Sequence, residues 1–174
     1  VDTLPCEVGL HFHDDGGCAV ANSLLGIEVG GTQVQGTANG LGERCGNANL
    51  FTLMADLQLK KALPLVPPES LERLTEISHR VAEICNQATP SIAPYVGHTA
   101  FSHKAGLHAS ALAKAPDMYN HIDPSRLAVP TSTDRIASAG PPIVGRVASF
   151  QPPPTDTRKC WVRKGSSAGA RRPV

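Results

Sequence analysis

Residues 8–37 constrain this chain more than any other stretch. A short apolar run closes on two histidines and two acids: Val8-Gly9-Leu10-His11-Phe12-His13-Asp14-Asp15. A helical stretch over about 17–29 follows, with Ala19, Val20, Ser23, Leu24 and Ile27 on one side. Asp14 or Asp15 can cap it, and Gly30-Gly31 ends it. Thr32 to Thr37 (TQVQGT) then reads as a second strand. Strand, helix and strand in this order make a βαβ unit, with parallel pairing and a right-handed crossover. Side chains two apart on a strand share a face, so His11 and His13 can reach one point at the C-terminal end of the first strand. Imidazole nitrogen is a good ligand for a divalent transition metal. The stretch reads as half a metal site; an isolated HxH is more commonly a pair of partly exposed strand histidines, so the rest of the chain decides.

A glycine-rich turn carries Gly36, Gly40, Gly42 and Gly46, with Asn39, Glu43, Arg44 and Asn47 among them. Glycines allow positive φ and close approach of a ligand. The spacing is GxGxxxG after the second strand, which is not the dinucleotide fingerprint. A helix over 47–62 is expected from Leu50, Leu53, Met54 and Leu57 at i, i+3, i+4 and i+7, before Pro64, Pro67 and Pro68 break the chain. A second amphipathic helix is expected over 70–87, on Leu71, Leu74, Ile77, Val81 and Ile84. Phe101 to Lys114 reads as an Ala-rich helix in which Lys104 and His108 share a face. Pro116 ends it, and Tyr119-Asn120-His121-Ile122-Asp123-Pro124 closes the ordered part. From about Arg126 no period is sustained; 7 of the 15 prolines lie here, and such composition does not bury enough apolar surface to order itself.

Charge divides the same way. Residues 1–125 hold 7 basic and 13 acidic side chains, and residues 126–174 hold 9 and 2. The five cysteines form no CxxC pair, and their odd number suits a reduced, cytoplasmic protein. Cys18 and Cys45 read as small buried residues, since neither has an evident base. No apolar run approaches the ~18 residues that span a membrane.

The blocks HFHDDGGCAVANSLLGIEVGGTQVQGTANGLGERCGNANL, PYVGHTAFSHKAGLHASAL and MYNHIDP, in that order, resemble the acyl-CoA/2-oxo-acid condensing enzymes: the citramalate, 2-isopropylmalate and homocitrate synthases. HKAGLH and YxHIDP are most similar to the citramalate synthase version. The resemblance covers roughly residues 5–125 and implies the last two βα units of a TIM barrel over 1–63. It further implies a small, mainly helical linker and subdomain over 64–125. Residues 126–174 are then a low-complexity basic tail, disordered or frame-shifted.

By the same resemblance His11 and His13 match the two metal-binding histidines, and Asn47 matches an asparagine beside the metal. Glu43 matches the supporting acid of the GER block and stands with His108 and Tyr119 as a catalytic candidate. His108 matches a histidine of acid–base steps, and Tyr119 its partner; in the family these two come from the neighbouring protomer, which implies a homodimer. The implied reaction condenses acetyl-CoA, as co-substrate, with a 2-oxo acid held on a divalent cation (Mn, Mg or Zn). With pyruvate as the oxo acid the product is citramalate, on the route to isoleucine and the branched-chain amino acids.

Three departures qualify that expectation. The family's His-Asn-Asp reads His13-Asp14-Asp15, which adds negative charge beside a cationic site. The chain leaves the family pattern after Asp123-Pro124, which suggests a shifted frame or gene damage from about residue 126. The first six βα units of a barrel of ~250 residues are not in this sequence, so the polypeptide alone is expected to be inactive, with unpaired sheet edges that favour aggregation. Alternatives are a piece of 2-isopropylmalate or homocitrate synthase, or a non-catalytic remnant whose basic tail binds nucleic acid. The tail has one Trp and no Tyr, so that last reading is weak.

Overall fold

In the computed structural model, residues 4–129 are described. The expectations for the basic tail beyond them, whether disorder, frame shift or nucleic-acid binding, lie outside the described residues.

Strand β1 (Gly9–His11) pairs in parallel with β2 (Gln33–Gln35), in the register Gly9↔Gln33, Leu10↔Val34 and His11↔Gln35. Helix α1 (Ala19–Glu28) makes the crossover. The strand–helix–strand order and its parallel pairing are as the sequence predicts, although the strands are shorter. Helix α1 starts where Asp14 Oδ1 accepts from the Ala19 amide at 2.8 Å, satisfying one of the free donors of the first turn. It stops where the Gly31 amide reaches back to the Gly26 carbonyl at 2.8 Å. Gly26 lets α1 lie against β1: a Cβ there would sit 2.4 Å from Leu10 Cδ1.

The turn after β2 delays the next helix. Residues 47–49 are used as a strap across the strand ends, bridging His13 to Asn47 and Thr37 to Asn49. Helix α2 (Leu50–Ala55) therefore begins three residues later than the apolar period suggests, with Asn49 Oδ1 accepting from the Phe51 amide at 3.0 Å. One turn of π-helix, Asp56–Lys60, continues it.

The expected helix 70–87 is two helices, α3 (Pro68–Glu72) and α4 (Leu74–Ile84), with Arg73 out of helical geometry between them. The apolar stripe read from sequence is also rotated. Leu71 and Leu74 are buried, but so are Ser78 and Ala82, whereas Ile84 is 74% exposed. Ser78 faces inward because it is bonded twice to Asn39 of the glycine-rich turn: Asn39 Nδ2 donates to its carbonyl at 2.8 Å and its hydroxyl donates to Asn39 Oδ1 at 2.6 Å. The expected helix 101–114 forms only as α5 (Gly106–Lys114). Phe101 is withdrawn into the core, and Ala105 is extended, so Lys104 lies before the helix and shares no helical face with His108.

Helix α2 serves two cores. Leu53 packs with Ala19 and Ala48 behind the parallel strands. Phe51 and Ala55 pack with Leu71, Leu74, Tyr95, Val96, Phe101 and Leu127. No helix among the described residues is long and apolar enough to cross a membrane.

Candidate metal centre

His11 ends β1 and His13 lies one pleat further on. Their Nε2 atoms are 3.4 Å apart, and the rings cross at 71° with centroids 5.2 Å apart. Two nitrogens bound to one tetrahedral ion at ~2.0–2.1 Å would themselves stand about 3.4 Å apart. The same spacing suits an N–H···N contact, depending on the tautomers. Both rings are exposed at the strand's C-terminal end.

The strap brings Asn47 to this point. It bridges His13 in antiparallel fashion, while the Asp14 amide donates to the Gly46 carbonyl at 2.8 Å and the Ala48 amide donates to the Phe12 carbonyl at 3.1 Å. The turn that delivers it needs glycine at position 46, where φ is +91° and a Cβ would lie 2.0 Å from the Gly40 carbonyl oxygen. Asn47 Oδ1 is buried and has no hydrogen-bond partner. A buried carbonyl left without a partner costs about 1–3 kcal/mol. That oxygen lies against Gly42, where a Cβ would stand 2.7 Å from it, on the residue whose backbone bridges His13; an amide oxygen lacking a donor is a group a divalent cation would satisfy. Among the described residues no group of three or more His, Cys, Asp or Glu side chains is placed to hold a metal ion.

The two acids after His13 have separate tasks. Asp14 caps α1, as described above. Asp15 takes a fork from Arg44, with Nε–Oδ1 at 2.6 Å and Nη2–Oδ2 at 2.9 Å. Hydrogen bonding from that guanidinium holds the Asp15 carboxyl below the usual carboxylate range, and the same bond raises Arg44. Glu43 points to solvent with its side chain 86% exposed, and reaches Arg44 only at 3.9 Å.

A second group forms around α5. The His108 and Tyr119 rings stack with centroids 4.0 Å apart and planes 23° apart. His103 lies edge-on to both, at 6.1 and 6.5 Å, and its Nε2 is 3.0 Å from Asn120 Oδ1. The structure thus brings the His11 and His13 rings together, bridges the Asn47 backbone to His13, and stacks His108 on Tyr119.

Sequence reasoning missed a third group. The Tyr95 hydroxyl donates to Asp56 Oδ1 at 2.5 Å, and Lys60 Nζ is 3.0 Å from the same oxygen. His121 lies flat against Phe101 (centroids 5.8 Å, 4°) and tilted against Tyr95 (5.2 Å). Burial, then the bond to Asp56, pushes the Tyr95 phenol up to about 12. Burial, then nearby Lys60, lowers His121 below its ordinary value. Only the i, i+4 spacing of Asp56 and Lys60 was visible in the sequence. Cys18 and Cys45, expected to be buried, are exposed free thiols. Cys18 stands just before α1, and Cys45 on the outer turn, so neither belongs to a packed face.

The chain is similar to known proteins along most of its described length. The HMGL-like family matches residues 1–81, and the homocitrate synthase post-HMGL domain-like family matches residues 95–139. An (R)-citramalate synthase of Streptomyces coelicolor is 54% identical over 118 residues, 68% of this chain and 22% of that protein. One of Synechocystis sp. is 53% identical over 119 residues, again 68% and 22%. A homocitrate synthase of Pyrococcus horikoshii is 44% identical over 115 residues, 66% of this chain and 31% of that protein. The chain thus spans about a fifth of the length of the citramalate synthases it matches.

Proposed function

The chain belongs to the HMGL-like family of citramalate, homocitrate and 2-isopropylmalate synthases, and from that premise we propose that it contributes the histidine half of a cation site to an acetyl-CoA/2-oxo-acid condensing enzyme. The observation that carries this reading is the meeting of His11 Nε2 and His13 Nε2 at one strand end, where the backbone of Asn47, a residue with a buried partnerless amide oxygen, bridges His13. In this proposal β1, α1 and β2 are the closing units of a β/α barrel, where functional groups gather at the strand C-termini. The barrel part runs to about residue 63, and a helical subdomain follows over 64–125.

His11, His13 and Asn47 would hold the cation, with a carboxylate supplied by residues other than those described. When bound, a divalent cation supplies Lewis acidity, polarising the carbonyl of a chelating 2-oxo acid. The chain's own groups do the rest. The Arg44–Asp15 fork and the Asp14 cap fix the loop after His13, so the imidazoles keep their orientation. His108 is suited to move a proton between the acetyl methyl of acetyl-CoA and solvent, and its ring is held in place by the Tyr119 face. In a homodimer that pair would serve the partner's site. Glu43, exposed on the turn, is assigned a supporting charge role through Arg44. Pyruvate is favoured as the oxo acid because the citramalate synthases match at higher identity than the homocitrate synthase.

The test is cation binding to the 174-residue chain. Mn2+ titration followed by electron paramagnetic resonance is expected to give one site, lost in His11→Ala and His13→Ala, with a signal altered by pyruvate. Absence of a saturable Mn2+ site would refute the reading. The chain alone is expected to release no CoA from acetyl-CoA and pyruvate; steady release would show that it needs no further ligands.

A further inference from the structure

The glycine-rich turn has a second feature, where it faces the end of α4. Cys45 and Cys85 are both exposed free thiols, and both line one open pocket of about 430 Å3. Its walls come from two elements far apart in sequence. Cys45 sits on the turn, between Arg44 (φ +57°) and Gly46 (φ +91°). Cys85 stands at the C-terminal end of α4. The paired bonds between Asn39 and Ser78, at 2.8 and 2.6 Å, pin the turn to α4, so the two thiols are held to one pocket. Arg44, whose guanidinium is forked onto Asp15, lines it as well. Neither thiol has a part in the cation site.

We propose that Cys45 and Cys85 are a modification site: a thiol pair that exchanges with small disulfides and closes into a Cys45–Cys85 bond. The Cys45 sulfur, its proton released to solvent, attacks one sulfur of the small disulfide. That S–S bond breaks, one small thiolate leaves, and Cys45 carries the other half as a mixed disulfide. Cys85, likewise deprotonated, then attacks the Cys45 sulfur and expels the second small thiolate. Two protein thiols are oxidised, and one small disulfide is reduced to two thiols, which take up the two protons. The final bond needs Cα atoms within about 4.4–6.8 Å, so the turn draws towards α4 and the pocket narrows. The turn also holds Asn47, whose amide donates to the Gly40 carbonyl at 3.0 Å, so closure would pull on the cation site. That consequence rests on the proposed function; the thiol chemistry does not.

The experiment treats the reduced 174-residue chain with oxidised glutathione and maps tryptic peptides by mass spectrometry. Cleavage after Arg44, Lys60, Arg80 and Lys104 puts Cys45 and Cys85 alone on peptides 45–60 and 81–104. The expected product is those two peptides cross-linked, with Cys6 and Cys18 joined to neither of them. Cys85→Ser is expected to stop at glutathione on Cys45. Cross-links from Cys6 or Cys18 in equal yield, a lasting glutathione adduct on Cys45 of the unaltered chain, or a cross-link to Cys160 would each overturn the proposal. The unaltered chain alone decides these outcomes, whether or not the variant folds.

Discussion

Replacing Asn47 by alanine separates a cation ligand from a packing residue. Its Oδ1 is buried without a partner, a condition that costs about 1–3 kcal/mol. Asn47→Ala removes that cost and also the contacts of the amide, so the cation-free chain should change in stability by less than about 1 kcal/mol. With cation the two proteins part. A ligand present at a hundred times its dissociation constant stabilises the folded state by about 2.7 kcal/mol. Losing a direct ligand should weaken affinity by at least the roughly 10–100-fold that outer partners cost, which leaves about 1.4 to 0.4 kcal/mol at the same concentration. Urea unfolding with and without Mn2+ measures all four values. Equal stabilisation of both proteins by Mn2+ would refute the ligand assignment. A loss above about 3 kcal/mol without cation would show that the side chain serves mainly to pack the turn.

Tyr95→Phe should destabilise the fold by about 1.5–3 kcal/mol, the worth of a hydrogen bond to a charged group, read by urea unfolding. The folded phenol sits at about 12 against an ordinary 10.0, so its contribution is whole below pH 10 and fades as pH rises towards 12; ultraviolet titration of tyrosinate should place this step, and the Phe variant should lack it. For His121 the folded value is lowered from 6.5, so stability is full above pH 6.5 and declines as pH falls through the folded value; urea midpoints should be lower at pH 5 than at pH 7.5, and equal midpoints in a His121→Phe variant would confirm the source. Asp14→Ala should cost about 0.5–2 kcal/mol through the lost cap on Ala19, seen as reduced helical circular dichroism and a lower urea midpoint. Leu53→Ala, in a side chain 2% exposed, should cost about 2–5 kcal/mol.

What could be read from the residues is what local periodicity controls. The βαβ order, the glycine stop of α1 and the meeting of His11 and His13 on one side of the chain follow from periods of 2 and 3.6, and from turn chemistry that acts within a few residues. What could not be read depends on partners far along the chain. Helix α2 starts late because residues 47–49 are engaged by His13 and Thr37. The buried stripe of α4 includes a serine because Asn39, thirty-nine residues earlier, binds it. Helix α5 is short because Phe101 is packed into a core that includes Leu127. Asp56, Tyr95 and His121 come from three separate segments, and no spacing announces them.

The turn between β2 and α2 explains why so much of the candidate site lies in so few residues. A loop of this length would ordinarily be mobile, with its amides bonded to water. Here Asn39 ties it to α4, Arg44 ties it to Asp15, and the Gly46 and Ala48 backbone ties it to the segment after β1. These attachments act on different elements, so removing one should leave the others to hold the turn, whereas removing two should free it. Asn39→Ala and Arg44→Ala together are therefore expected to lose more stability than the sum of the single changes. Strict additivity in that double-mutant cycle would mean that the turn is held by its own glycine geometry, and that Asn47 is placed by residues 40–46 alone.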